Sequence, residues 1–339
     1  MSTEGDVINL FSSESYPKEK EIKNGNIIKY YNDGIVAIFP KAVKDSQPAI
    51  IVSAGVHGDE ALPVGLVYNL FKDLLNNLTI NRPLMIILGN LKAIELGERM
   101  VEVDLNRCFN VDEDTSNSSI EHKRAFDITV AIKQFKEDLD VHGISIEKHL
   151  DLHSYKFDGP FDECLDDGTQ FAICVAEQPY NINHKKILDA CNIRKIVIDI
   201  KNMEGTFTSF MVNKYPSITS ITFELGISKK LSKNNPPSLE NILSYLLAQI
   251  SEKHNQNNKI SSNKIDKYRF YDTVTKSSEA CKLSTDISLK NFTKYNKGDI
   301  VAYDDGQVLY RIPSENHTVL FASPFSPLER PITFILEKV

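Results

Sequence analysis

The sequence predicts an α/β fold: a mixed, largely parallel sheet flanked by helices, with a smaller C-terminal β domain. Three observations lead to it. Apolar Ile50, Ile51 and Val52 run into small Ser53, Ala54 and Gly55, the composition of a central strand covered on both faces. Strand-like and helix-like segments then alternate as far as Leu225, the pattern of a sheet built from crossover units. Finally, the run from Ser251 to Lys264 is polar and lacks any hydrophobic period, and β-rich sequence with turn signals follows it.

In chain order, residues 25 to 40 read as a hairpin, because Asn32-Asp33-Gly34 sits between two β-rich runs. The strand ending at His57 follows, and Gly58 allows a sharp turn before a helix from about Pro63 to Asn76. A strand is expected at Pro83 to Leu88, and the Gly89-Asn90 turn opens a short helix from Leu91 to Gly97. Asp112 to Ser119 reads as a polar loop, Glu121 to Leu139 as a charged amphipathic helix, and His149 to His153 as a strand. Further strands are expected at Phe171 to Ala176, Ile193 to Ile200 and Ile218 to Leu225, then an apolar helix at Leu239 to Ile250. The domain reading is therefore 1–250 catalytic, 251–267 polar linker and 268–339 C-terminal β domain, with strands at Tyr268 to Thr275, Ile300 to Ala302, Gln307 to Ile312 and Ile332 to Glu337.

Composition excludes several classes. With 41% hydrophobic and 25% charged residues, 339 positions are ample for a large folded core. A net charge of -7 without a basic stripe argues against nucleic acid as partner. No basic and apolar leader pattern begins the chain and no apolar run approaches a membrane span, so a cytoplasmic protein without membrane partners is expected. The five cysteines are scattered and form no Cys-x-x-Cys pair, which points to reduced thiols rather than a disulfide framework or thiolate metal site.

Chemistry concentrates at strand ends. His57 and Glu60 form a His-x-x-Glu pair, which in isolation is usually a surface pair, but here it follows a buried strand. Alternation in His149-Leu-Asp-Leu-His153 puts His149, Asp151 and His153 on one face. His153 is either a hydrogen-bonded core histidine or a third ligand. In the second case His57, Glu60 and His153 form a two-nitrogen, one-carboxylate zinc set with a fourth position open. Asp151 then orients a ligand imidazole or simply stabilises the strand. Glu224 ends a β-branched, apolar strand, where a carboxylate is costly unless it is salt-bridged or acts as general base and acid. Arg99, Asn106 and Arg107 lie in a non-periodic segment suited to a carboxylate ligand, although each arginine alone could pair with Glu98 or Asp104.

Taken together, the blocks His57-Gly-Asp-Glu60, Leu88-Gly-Asn-Leu-Lys-Ala-Ile with Asp104-Leu-Asn-Arg-Cys-Phe109, Leu150-Asp-Leu-His153, Glu204-Gly-Thr-Phe-Thr-Ser-Phe210 and Phe223-Glu-Leu-Gly226 occur in one order. In these blocks the chain resembles the succinylglutamate desuccinylase and aspartoacylase family of zinc amidohydrolases, and its desuccinylase branch more than the other. The motifs reach from about residue 50 to 226, and the general pattern covers nearly the whole chain.

The resemblance implies a zinc-carboxypeptidase-like fold and one Zn2+ per chain on His57, Glu60 and His153. It also implies Glu224 as catalytic acid/base and a substrate clamp of Arg99, Asn106 and Arg107. Its substrate would be a small anionic N-acyl amino acid, N-succinyl-L-glutamate in the desuccinylase branch, cleaved to succinate and L-glutamate at the end of arginine breakdown through succinylated intermediates. Desuccinylases continue after the last histidine with a Thr-Ala-Ile-Arg-like run, whereas this chain has Ser154-Tyr155-Lys156-Phe157. Lys156 would supply that charge as a looser contact. Another acyl group such as acetyl on aspartate, peptide cleavage, or zinc retention without turnover are the competing readings. Oligomeric partners are not specified by the sequence.

Overall fold

The computed structural model describes residues 4–12, 18–22, 24–43, 47–76, 78–110, 119–155, 169–200, 203–228, 239–251, 264–287 and 289–339. The first half contains helix α1 (Glu4–Leu10), strands β1 (Glu19–Glu21), β2 (Ile27–Asn32), β3 (Ile35–Phe39) and β4 (Ala49–Ala54), helix α2 (Ala61–Asn76), strand β5 (Leu84–Leu88), and helices α3 (Leu91–Leu96) and α4 (Ile120–Asp140). Next come β6 (Ile146–Tyr155), β7 (Phe171–Val175), α5 (Ile182–Ala190), β8 (Lys195–Ile200), α6 (Phe207–Lys214), β9 (Thr219–Ile227) and α7 (Glu240–Ile250). The C-terminal part is β: β10 (Asp266–Thr275), β11 (Lys282–Leu283), β12 (Ile300–Asp304), β13 (Gln307–Arg311), β14 (His317–Leu320) and β15 (Pro331–Lys338).

One sheet of twelve strands runs in the order β1-β2-β3-β5-β4-β6-β9-β7-β8-β10-β15-β14. Its centre is parallel, with β4 paired to β5 and β6, and β6 to β9. Every residue of β3, β4, β5 and β7 is buried, which is why these strands read as continuous apolar runs. Leu150, Leu152, Ile221 and Phe223 pack on one face with Leu66 and Leu70 of α2 and Leu246 of α7. The opposite face holds Ile51, Met85 and Ile87 against Ile128, Ile132 and Phe135 of α4 and Met211 of α6. Strand alternation sends His149, Asp151 and His153 to that second face.

The expected loop at 112–118 and residues 252–263 of the expected linker lie outside the described residues. The two short helices α5 and α6 have no counterpart in the sequence reading. Each is two turns long with a weak period, and side-chain caps start them: Asn181 accepts from the His184 N–H, and Thr206 from the Ser209 N–H. The C-terminal strands are not a separate layer throughout. β10 pairs in parallel with β8 and carries β15 and β14 onto the main sheet, while β11, β12 and β13 form a small sheet of their own.

An aromatic and aliphatic cluster seals this junction: Tyr155, Phe171 and Val197 of β6, β7 and β8 meet Tyr268, Phe292, Leu320 and Leu336. The Phe171 ring is fully buried and meets Phe292 edge to face at 5.0 Å. Phe171→Ala is expected to cost about 3–5 kcal/mol of stability, read by denaturant unfolding, because it empties a cavity between the two parts of the sheet.

Candidate active site

The site is assembled at the carboxyl ends of β4, β6 and β9, where open α/β sheets collect ligands. His57 follows β4 directly. Gly58 is required there by close approach: a Cβ would lie 2.0 Å from the Ala93 backbone carbon of α3. The start of α2 is fixed by Ser228, whose hydroxyl accepts from the Ala61 N–H and donates to the Asp59 carbonyl, each at 3.0 Å. Glu60 is thereby held against β6.

His57, Glu60 and His153 are all buried, and one ligand atom from each lies within 4.8 Å of the others. Glu60 Oε1 is 2.6 Å from His57 Nδ1, and Glu60 Oε2 is 3.1 Å from His153 Nδ1. The Ser154 N–H also donates to Oε2 at 3.0 Å. On their far sides the imidazoles meet two further carboxylates: His57 Nε2 lies 3.0 Å from Asp104 Oδ1, and His153 Nε2 lies 3.0 Å from Asp151 Oδ2. Both rings are therefore oriented by a carboxylate at Nε2 and converge through Nδ1, as metal-ligating histidines commonly do. Two nitrogens and a carboxylate oxygen in buried surroundings fit a divalent cation of the zinc type, and this trio could hold one.

The charges follow from these contacts. Burial alone would lower the histidines, yet the neighbouring carboxylates hold both His57 and His153 above the usual imidazole range. Burial would raise Glu60, but His153 and His57 outweigh it and keep this carboxyl well below its ordinary value. Glu224 behaves oppositely. It is the register partner of His153 on adjacent β9, its Oε2 is enclosed with no hydrogen-bond partner, and burial pushes its pKa up to about 8.

His57, Glu60, Arg99, Asn106, Arg107, His153 and Glu224 line one cavity of 690 Å³. Lys156 lies outside the described residues. Arg99 is half exposed and contacts Asp104 at 3.2 Å, so it joins an ion pair as well as facing the cavity. Arg107 is exposed and donates to its neighbour's carbonyl, Asn106 O, at 2.6 Å. The Asn106 Oδ1 accepts from the Phe207 N–H at 2.9 Å, which ties the arginine segment to the start of α6. Gly205, at φ +81°, permits this contact, since a Cβ would sit 2.6 Å from the Arg107 carbonyl oxygen. The far wall is C-terminal, with Phe270, Leu320, Phe321 and Phe334.

Sequence reasoning passed over two residues that organise this site. The sequence offers Asp104 as an ion-pair partner for an arginine, and its place in the Asp104-Leu-Asn-Arg107 block is the available signal. Glu121 is fully buried near the start of α4. It accepts from the backbone N–H groups of Val101, Glu102 and Val103 and from Asn90 Nδ2, at 2.7 to 3.3 Å. It thus fixes the loop that carries Arg99 and Asp104.

Fold and site together define the class: an α/β protein with a metal-competent His-Glu-His cluster beside a buried, protonatable glutamate. Residues 46–250 match the Succinylglutamate desuccinylase/Aspartoacylase catalytic domain, and residues 263–339 match the AstE/AspA barrel-sandwich hybrid domain. The chain belongs to the succinylglutamate desuccinylase/aspartoacylase family, whose relatives indicate a hydrolase. It is 27% identical over 325 residues to a succinylglutamate desuccinylase of Serratia proteamaculans, covering 94% of this chain and 93% of that protein. A relative of the same name from Erwinia tasmaniensis is 26% identical over 322 residues, covering 94% and 93%. Among solved structures, succinylglutamate desuccinylases of Vibrio parahaemolyticus and Vibrio cholerae share the fold. The first has a TM-score of 0.74 at 21% identity, covering 95% of this chain and 90% of that one. The second has 0.75 at 20%, covering 98% and 94%.

Glu121→Gln removes the charge from a carboxylate that accepts several N–H groups and is expected to cost about 1.5–3 kcal/mol at pH 7. Hydrogen exchange at the 101–103 amides should accelerate with it. Despite the raising effect of burial, these N–H donors hold Glu121 below its ordinary value, so its contribution is full above the unfolded carboxyl pKa and is lost as pH falls through the folded one. The stability gap between wild type and variant should therefore close in acid.

Proposed function

We propose that this chain hydrolyses the amide bond of an N-acyl amino acid, with N-succinyl-L-glutamate as substrate and succinate and L-glutamate as products. That reaction ends arginine breakdown through succinylated intermediates. The observation that carries the reading is the convergence of His57, Glu60, His153 and Glu224 on one cavity that Arg99, Asn106 and Arg107 also line. The names of the relatives support the substrate.

In this reading His57, Glu60 and His153 hold one Zn2+, which when bound supplies Lewis acidity toward a carbonyl and a water. Asp104 and Asp151 keep the two imidazoles turned inward. Glu224 accepts a proton from the attacking water and returns it to the departing amine, a double task suited to a carboxyl lifted toward neutral pH by burial. Arg107, with Arg99 beside it, grips substrate carboxylates, and Asn106 has its Nδ2 amide to offer while its oxygen is engaged by α6. The acidic net charge of the chain is no obstacle, because these cations face the cavity locally.

Ser154-Tyr155-Lys156 replaces the arginine-bearing run of desuccinylases, and this favours a second reading in which the acyl group is smaller, as in N-acetylaspartate. Parallel kcat/KM measurements on the two compounds decide between them. A clear preference for N-succinylglutamate is expected, and equal or reversed preference would overturn the succinyl assignment.

Glu224→Gln should retain stoichiometric zinc and lose about 10²–10⁴ in kcat, whereas unchanged hydrolysis would remove Glu224 from the chemistry. His153→Ala should lose tight zinc, and a metal assay showing one zinc per chain in that variant would take His153 out of the ligand set. Retained zinc in the wild type without hydrolysis of any N-acyl amino acid would favour a binding role instead.

A further inference from the structure

Behind His153 a chain of buried polar groups crosses three strands. Cross-strand register creates it: Ser53 of β4 is the partner of Asp151 on β6, and His149 of β6 is the partner of Ser220 on β9. Ser53 Oγ lies 2.6 Å from Asp151 Oδ1 and 2.9 Å from His149 Nε2. His149 Nδ1 lies 2.9 Å from Ser220 Oγ. All four side chains are at most 1% exposed, and the His149 ring is closed off by Phe207 at 4.6 Å.

Counting donors gives this chain a direction. Asp151, ionised, only accepts, so the single Ser53 hydroxyl proton points to Oδ1 and the His153 Nε2 proton to Oδ2. With its proton committed, Ser53 Oγ can only accept from His149, which must carry hydrogen on Nε2. Burial lowers the pKa of His149 to about 4, so the ring is neutral, and Nδ1 is left to accept from Ser220. Each link has one consistent orientation, and the sequence ends at His153 Nε2–H.

We propose that Ser53, His149 and Ser220 are positioning residues that act through Asp151 to fix the Nε2–H tautomer of His153, so that its Nδ1 is the atom offered to a divalent cation. The role rests on the reading of His153 as a metal ligand. A buried network of this size adds little stability over apolar packing, and among the described residues its outlet to the cavity is His153. Among the described residues its members contact no other candidate ligand, which makes orientation of that imidazole the function the geometry serves.

The test uses full-length protein with histidine ring nitrogens labelled with ¹⁵N, observed by long-range ¹H–¹⁵N spectra with and without zinc, together with zinc titrations of wild type and Ser53→Ala. His149 should carry its proton on Nε2 in both states, and His153 should bind zinc through Nδ1 with Nε2 protonated. Ser53→Ala should weaken zinc about 10- to 100-fold and broaden or shift the His153 ring signals. A proton on His149 Nδ1, or Ser53→Ala with wild-type zinc affinity, overturns the relay while leaving the metal site standing. Failure of the wild type to bind zinc overturns the metal reading and this role with it. Should Ser53→Ala not fold, the wild-type tautomer of His149 decides.

Discussion

Everything at this site follows from burying the Glu60 carboxylate between two imidazoles. An ionised carboxyl taken out of water is expensive unless charge and hydrogen bonds replace the solvent. His57 and His153 provide both, with the Ser154 N–H as a third donor. Each histidine then needs a partner for its second nitrogen, and Asp104 and Asp151 fill that place. The cluster so formed contains three carboxylates and two imidazoles. With both rings neutral, the state in which imidazoles ligate metal, it carries excess negative charge even after the Arg99 guanidinium beside Asp104 and Glu60 is counted, and a divalent cation would meet that demand.

That demand spreads outward through the fold. Asp104 ends a segment whose residues 98–102 are mostly exposed, and Glu121 of α4 pins that segment by its backbone. Asp151 is tied to β4 through Ser53, and from there to β9. The central parallel strands are thus coupled by hydrogen bonds between side chains as well as by their ladders. The fully apolar packing of the opposite face, with Leu150, Leu152, Ile221 and Phe223, leaves the register no freedom to slip. A one-residue shift would move those leucines to the face under α4 and α6 and drive His149, Asp151 and His153 into the apolar packing under α2 and α7.

What could be read from the sequence is what is encoded locally. The runs at Ile50–Val52 and His149–His153 announce buried strands because apolar or alternating residues are contiguous, and the ligand residues sit where those runs stop. The helix at Ile120–Asp140 was legible because twenty-one residues give a period many turns to declare itself. The two-turn helices α5 and α6 were not, since they are started by caps rather than by a long apolar stripe. Asp104 could not be paired with His57 from spacing, because forty-seven residues separate them and a loop brings them together. Ser53, His149 and Ser220 become a chain only through parallel register, which no local pattern reports. The docking of β10 onto β8 is likewise a long-range pairing, and it explains how a C-terminal segment walls a cavity whose candidate site residues lie between His57 and Glu224.

Glu60 and Glu224 show how one strand end can hold the same residue type in two states. They flank His153, one through a direct contact and the other from the neighbouring strand in register. Glu60 has partners for both oxygens and stays ionised. Glu224 keeps one oxygen enclosed without a partner, and burial raises it to about 8. Environments that push two carboxyls apart are the physical basis of the proposed division, in which one carries charge and the other transfers a proton. A cation held at the cluster would favour the ionised form of Glu224 and lower its pKa from the metal-free value. A carboxyl that titrates within reach of neutral pH can take a proton and give it back, which is what the proposed amide hydrolysis asks of a single acid and base.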